Sequence, residues 1–110
     1  MANTFKNKVQ DITSTPTDIY TCPASTTAMV LSLRISNVDG SSSDQVTAEF
    51  IDSDGTTKAY LAFTVNVPAD SVLELAGESK IVLEASDKIQ LTGASASGDL
   101  EAFMSILEIT

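Results

Sequence analysis

Residues 27–37 read Thr-Ala-Met-Val-Leu-Ser-Leu-Arg-Ile-Ser-Asn. Met29, Leu31, Leu33 and Ile35 fall on one parity. Ala28, Val30, Ser32, Arg34 and Ser36 fall on the other. Alternation with period two over this length marks a half-buried antiparallel strand. The stretch ends at a polar loop, Asn37-Val38-Asp39-Gly40-Ser41-Ser42-Ser43, whose Asp-Gly pair is a turn signal.

The same grammar extends in both directions. Residues 45–51 place Val46, Ala48 and Phe50 on one side, and Asp52-Ser53-Asp54-Gly55 turns the chain. In residues 57–67, Leu61, Phe63, Val65 and Val67 alternate with Tyr60, Ala62, Thr64 and Asn66. Strand, Asp-Gly turn and strand predict a hairpin. Short strands follow at 71–76, 79–84 and 87–92, joined by turns at Ala76-Gly77-Glu78 and Ala85-Ser86-Asp87. Upstream, 18–22 is a strand stopped by Pro23, and 4–13 is a weak strand with Phe5 and Val9 on one parity. Residues 100–109 close the chain, with Leu100, Ala102, Met104 and Ile106 on one side. The spacing predicts an all-β fold: an antiparallel β-sandwich, jelly-roll-like or immunoglobulin-like, of roughly eight to nine short strands. Residues 1–13 read as an N-terminal arm or edge strand, and 14–110 as one sandwich domain.

Composition narrows the function classes. The chain has 110 residues, 43% of them hydrophobic but only 5% aromatic, so the core must be aliphatic. Net charge is −9, from 15 acidic and 6 basic residues. That balance argues against nucleic acid and against an anionic membrane surface as partners. No apolar run is long enough to span a bilayer. The opening residues lack the apolar core of a secretory signal, which predicts folding in a cytoplasm.

Catalytic chemistry finds little to stand on. There is no histidine or tryptophan, and one cysteine. Cys22 therefore lacks the usual base, and it reads as a buried, inert thiol. Asp52-x-Asp54-Gly55 has two acids of a calcium loop but reads as a hairpin turn, since the glycine comes too early and strands flank it. A loose surface calcium site there would draw on Asp52 and Asp54. Glu74, Glu84 and Glu101 read as solvent-facing members of alternating patterns rather than a hydrolytic pair. No nucleophile elbow, Ser-x-x-Lys segment or phosphate cradle is present. No catalytic, cofactor or metal residue is assigned, and no enzyme activity is expected.

One feature exceeds what a solitary sandwich needs. The last strand is apolar on both parities, since Phe103, Leu107 and Ile109 oppose the inward set. A sandwich strand buries one face. Its second face must lie under the N-terminal arm or against another subunit.

The turn-and-strand pattern resembles the small β-sandwich virion proteins of tailed phages. The resemblance rests on Cys22-Pro23-Ala24, Arg34-Ile35-Ser36-Asn37, Val67-Pro68-Ala69, Leu73-Glu74-Leu75, Ile81 to Ile89, and Ser105 to Ile109. It covers residues 16–110. Ser25 and Ser86 stand where such proteins commonly carry glycine, which implies slightly altered turns. The resemblance implies a capsid decoration, or cement, protein on the outside of the shell. Its implied partners are the major capsid protein and other copies of itself, as trimer or dimer. A tail, fibre or neck part, including a host-surface binding module, is the alternative. On this reading the candidate contact residues are Phe5, Val9, Tyr60, Phe103 and Leu107.

Overall fold

The computed structural model describes residues 2–76 and 80–110. The expected turn at Ala76-Gly77-Glu78 and the start of the 79–84 strand therefore fall largely outside the described residues. Nine strands are present among those described: β1 (Asn3–Ile12), β2 (Thr17–Thr21), β3 (Thr27–Asn37), β4 (Asp44–Ile51), β5 (Lys58–Val67), β6 (Val72–Glu74), β7 (Ile81–Leu83), β8 (Lys88–Gly93) and β9 (Leu100–Ile109).

They form two antiparallel sheets. One runs β1-β9-β3-β6, with β7 also paired to β3, and the other runs β2-β8-β4-β5. The chain crosses between sheets at β1–β2, β2–β3, β3–β4, β5–β6, β7–β8 and β8–β9. That interleaving is the jelly-roll order, which decides between the two sandwich types the sequence allowed.

The core between the sheets is aliphatic, as composition demands. Ile12, Val30, Leu33, Ile35, Val46, Val67, Leu83, Ile89, Leu91, Leu100, Met104 and Ile106 are its largest fully buried side chains. On β9 the expected parity holds: Leu100, Ala102, Met104 and Ile106 point inward. Gly93 sits in a crowded place, since a Cβ there would lie 3.3 Å from the Ile12 side chain and require it to shift. Its N–H donates to the Thr13 carbonyl at 2.7 Å.

Two strands break the alternation that the sequence displays. In β3, Val30 opposes Ile106 and Ser32 opposes Ser105, so Leu31 is an extra, bulged residue. Ala28 and Val30 are buried before the bulge, Leu33 and Ile35 after it. Met29 and Leu31 therefore do not share the inner face with Leu33 and Ile35, and Val30 does not belong with the outward set. In β5 the register against β4 slips between Val46 and Ala48 and again before Glu49. Ala62 turns inward while Phe63 is 60% exposed, the reverse of the expected alternation. Thr64 takes φ 47°, a strained value for a β-branched residue, and its N–H donates to Thr47 Oγ1 at 3.1 Å.

The turns keep the left-handed form despite the missing glycines. Ser25 has φ 59° and Ser86 has φ 71°, so serine fills the positions where the resemblance led us to expect altered turns. Asp70, after Pro68-Ala69, adopts φ 58° in the same manner.

Candidate interaction surface

The outer face of the five-stranded sheet carries an apolar row beside polar and charged ones. Its alternate residues follow from register. Phe5 lies opposite Leu107, and Val9 opposite Phe103. Leu107 lies in turn opposite Met29, which lies opposite Val82. One apolar row thus crosses β1, β9, β3 and β7. Phe5 is 73% exposed, Val9 68%, Val82 55% and Phe103 43%. Phe5, Leu31, Phe103 and Ser105 line a shallow depression of about 330 Å³ in this face. Scattered exposed apolar residues need no explanation, but a contiguous group on one face marks a contact surface.

Four of the five residues singled out from the sequence, Phe5, Val9, Phe103 and Leu107, therefore meet on one face. β1 lies beside β9 rather than over it, so the second apolar side of β9 is left uncovered by the arm. Tyr60 lies elsewhere, on the four-stranded sheet. Its ring sits 4.7 Å from that of Phe63, tilted by 58°. Met29, Leu31 and Val82 were missed as members of the surface. The signal existed, since Met29-Val30-Leu31 is apolar on consecutive positions, as β9 is.

Apart from Tyr60 and Phe63 on β5, the outer face of the four-stranded sheet is polar. Asp18 accepts from Lys88 Nζ at 3.2 Å and from Gln90 Nε2 at 3.0 Å. Thr47 and Thr92 lie opposite each other, as do Glu49 and Gln90.

Beyond its ladder with β9, β1 is tied to the body through one buried polar group. Glu108 continues the inward parity of β9 and is 5% exposed. Tyr20 Oη donates to Glu108 Oε2 at 2.5 Å, and Lys6 Nζ lies 3.0 Å from Oε1. The tyrosine hydrogen bond, helped by Lys6, holds the Glu108 carboxyl below its ordinary pKa against the opposing effect of burial. Burial, then Glu108, pushes the Tyr20 hydroxyl well above its ordinary value. This trio was also legible: Glu108 is a charge on a parity otherwise reserved for the core.

The remaining polar groups serve the loops. Asp87 is buried and accepts from Ser53 N at 3.0 Å and from Glu84 N at 2.8 Å, which ties two turns together. Burial and the adjacent Asp87 raise the pKa of Asp52. Both lie in an open cleft of about 680 Å³ with Ser25, Thr26 and Glu84. Asp54 accepts from Thr56 N, Thr57 N and Thr57 Oγ1, and these bonds hold its pKa down at about 2. Its carboxylate is thus used by the hairpin turn itself. Among the described residues, no three His, Cys, Asp or Glu side chains are grouped as metal ligands. Cys22 is buried, and its Sγ donates to the carbonyls of Thr26 and Leu83 at 3.3 and 3.6 Å. Burial is the main cause of its raised pKa, so the thiol stays protonated.

No family model and no curated protein matches the chain. Solved structures do match. The chain is similar to a structure of Bacillus endospore appendages, described as a family of disulfide-linked pili. The TM-score is 0.53 at 15% identity, over 99% of this chain and 87% of that one. It is similar to a chain of the T13 infectious bursal disease virus particle, with TM-score 0.56 and 9% identity over 96% of this chain. The Gx strain of the same virus gives 0.55 and 11% over 98% of this chain. The present chain spans about 30% of the length of each viral chain. At these identities the likeness is one of fold: this jelly roll is shared with components of a virus particle and of a pilus.

Proposed function

We propose that this chain is a non-enzymatic structural protein of a tailed-phage virion, and that it decorates the outside of the capsid. The observation that carries the reading is the apolar row from Phe5 to Val82 on one face of a rigid jelly roll. The opposite face is polar apart from the Tyr60–Phe63 pair. A molecule sided in this way is suited to adhesion: one sheet meets the shell, the other meets water.

The mechanism needs no bond chemistry. Burying Phe5, Val9, Leu31 and Phe103 against the major capsid protein removes apolar area from water at roughly 25 cal/mol per Å². Association costs consume much of that gain. Repetition over a shell makes modest single contacts sufficient. The depression between Phe5, Leu31 and Phe103 is where a side chain of the shell would anchor. The fold likeness to parts of a virus particle and a pilus is in keeping with a role in assembly.

The test is copy number. In purified particles encoding this chain, a stained gel should show on the order of hundreds of copies per particle, as a repeating shell requires. A stoichiometry about ten-fold or more lower would assign the chain to the tail, fibre or neck instead.

A further inference from the structure

We propose that the chain binds one calcium ion at one end of the jelly roll, among Asp39, Asp44 and Asp99. Three connections converge there. The β3–β4 loop meets the β8–β9 loop where Val38 N donates to Asp99 O at 2.9 Å, and it meets the β5–β6 loop where Asp70 N donates to Asp39 O at 3.2 Å. A small cavity of about 50 Å³ lies at this junction, lined by the three aspartates with Asn37, Ser43 and Ser95. That is room for a cation and a few waters. The atom that calls for an ion is Asp44 Oδ2. Asp44 opens β4 and is 9% exposed. Its Oδ1 accepts from Gln45 N at 2.7 Å, but its Oδ2 is buried with no hydrogen-bond partner among the described residues. A buried carboxylate left half-paired is costly. Among the described residues no lysine or arginine lines the cavity, and the ion pairs of Lys6, Arg34 and Lys88 lie elsewhere.

The other two carboxylates are arranged alike. Asp39 Oδ1 accepts from Ser41 N at 2.8 Å, Ser41 Oγ at 3.1 Å and Ser42 N at 3.1 Å. These bonds, the one from Ser41 N foremost, hold its pKa below the ordinary carboxylate value, so it stays charged. Asp99 Oδ2 accepts from Ser97 Oγ at 2.8 Å. Each aspartate thus commits one oxygen to the chain around it and leaves the other free of those bonds. Asp99 also comes within hydrogen-bond reach of Asp39, which sets two carboxyl groups side by side. A cation relieves this crowding and the exposed need of Asp44 together. The donors are all oxygens held on irregular loops, which suits calcium, since it takes six to eight oxygens in flexible geometry where magnesium demands a near-ideal octahedron. Softer metals would find no imidazole, and the chain's one thiol is buried in the core. Among the described residues no three acidic side chains are grouped as metal ligands, so at most two of the aspartates bind the ion directly and water completes the shell. The site is separate from the Asp52-Ser53-Asp54-Gly55 hairpin, which follows the other end of β4 and uses both Asp54 oxygens itself.

Calcium titration tests this. The full chain is stripped with EDTA, and its melting temperature and heat of binding are read as calcium chloride is added. We expect one site per chain with a Kd below about 10⁻³ M. The melting temperature should rise by at least about 5 °C once calcium exceeds that Kd about ten-fold. Asp44→Asn keeps the shape of the side chain and removes its charge. It should lose the calcium response, while its metal-free form melts no lower than the metal-free wild type, because the half-paired charge is gone. Asp99→Asn, in the half-buried loop, is the second variant and should weaken calcium binding by about ten-fold or more. Asp54→Asn should keep the calcium response. No saturable calcium effect up to about 10 mM would overturn the proposal, an ordered water then sufficing for Asp44 Oδ2. So would a response that survives in both Asp44→Asn and Asp99→Asn, or one that Asp54→Asn abolishes. An equal response to magnesium chloride would overturn the assignment to calcium. None of these results depends on whether the chain decorates a shell.

Discussion

The two sheets are made from similar strands yet finish differently. The four-stranded sheet has an outer face that is polar across Asp18, Lys88, Gln90, Thr47 and Glu49, and both its edges are kinked. The five-stranded sheet has an apolar row across its outer face, and its edge strand β1 pairs without a register slip. Each sheet needs one apolar face to close the core. The first leaves Tyr60 and Phe63 exposed together on β5, and the second leaves a longer row, from Phe5 to Val82, that the fold itself does not use. The difference shows that stability and assembly draw on opposite faces of the same strands, and β9 displays both.

The comparison breaks first on β9 and its neighbour β1. Ile106 is fully buried, while Phe5 on the outer face is 73% exposed. Ile106→Ala should lower the unfolding free energy by about 2–5 kcal/mol. Phe5→Ser should change it by no more than about 0.5 kcal/mol. Urea denaturation of both variants measures the contrast. Comparable losses would mean that the outer face supports the fold rather than a partner.

A second, smaller effect concerns what holds the arm. Tyr20→Phe leaves Glu108 with Lys6 alone and should cost about 1.5–3 kcal/mol near neutral pH. The sign of the pH dependence follows from the shifts. Glu108 has a folded pKa below its ordinary 4.5, so its contribution is present above that pH and is lost as pH falls through the lower, folded value. Tyr20 is shifted up from 10.0, so its contribution is present below pH 10 and is lost as pH rises beyond it. Melting temperature against pH should therefore be flatter at both ends in the Tyr20→Phe variant. An unchanged profile would remove the trio as the clamp on β1.

The turns should give the smallest effect. Ser86 holds φ 71° and Ser25 φ 59° without the freedom of glycine. Relief of the left-handed penalty outweighs the extra chain entropy of glycine, so Ser86→Gly should gain about 0.5 kcal/mol. A loss in the same denaturation assay would show that the Ser86 side chain supports the turn between β7 and β8.

The legible parts of the molecule are those where one local signal decides. Parity along 100–109 placed Leu100, Ala102, Met104 and Ile106 in the core, and Asp52-Ser53-Asp54-Gly55 located the hairpin. The same parity brought Phe5, Val9, Phe103 and Leu107 to one face. The bulges at Leu31 and at Phe63-Thr64 were not legible. Inserting one residue leaves an alternating sequence looking regular while it reverses which parity faces inward. That is why Met29 and Leu31, on one parity with Leu33 and Ile35, lie on a different face from them, and why Phe63 emerged beside Tyr60. The separation of Tyr60 from the other four contact candidates needed sheet order, which no stretch of sequence states.

The siding of the molecule can be tested most directly by hydroxyl-radical footprinting of the chain on intact particles and free in solution, read residue by residue. Phe5, Leu31, Phe103 and Leu107 should lose reactivity on the particle, while Tyr60 and Phe63 keep theirs. Protection of Tyr60 and Phe63 with Phe5 and Phe103 still reactive would contradict the account.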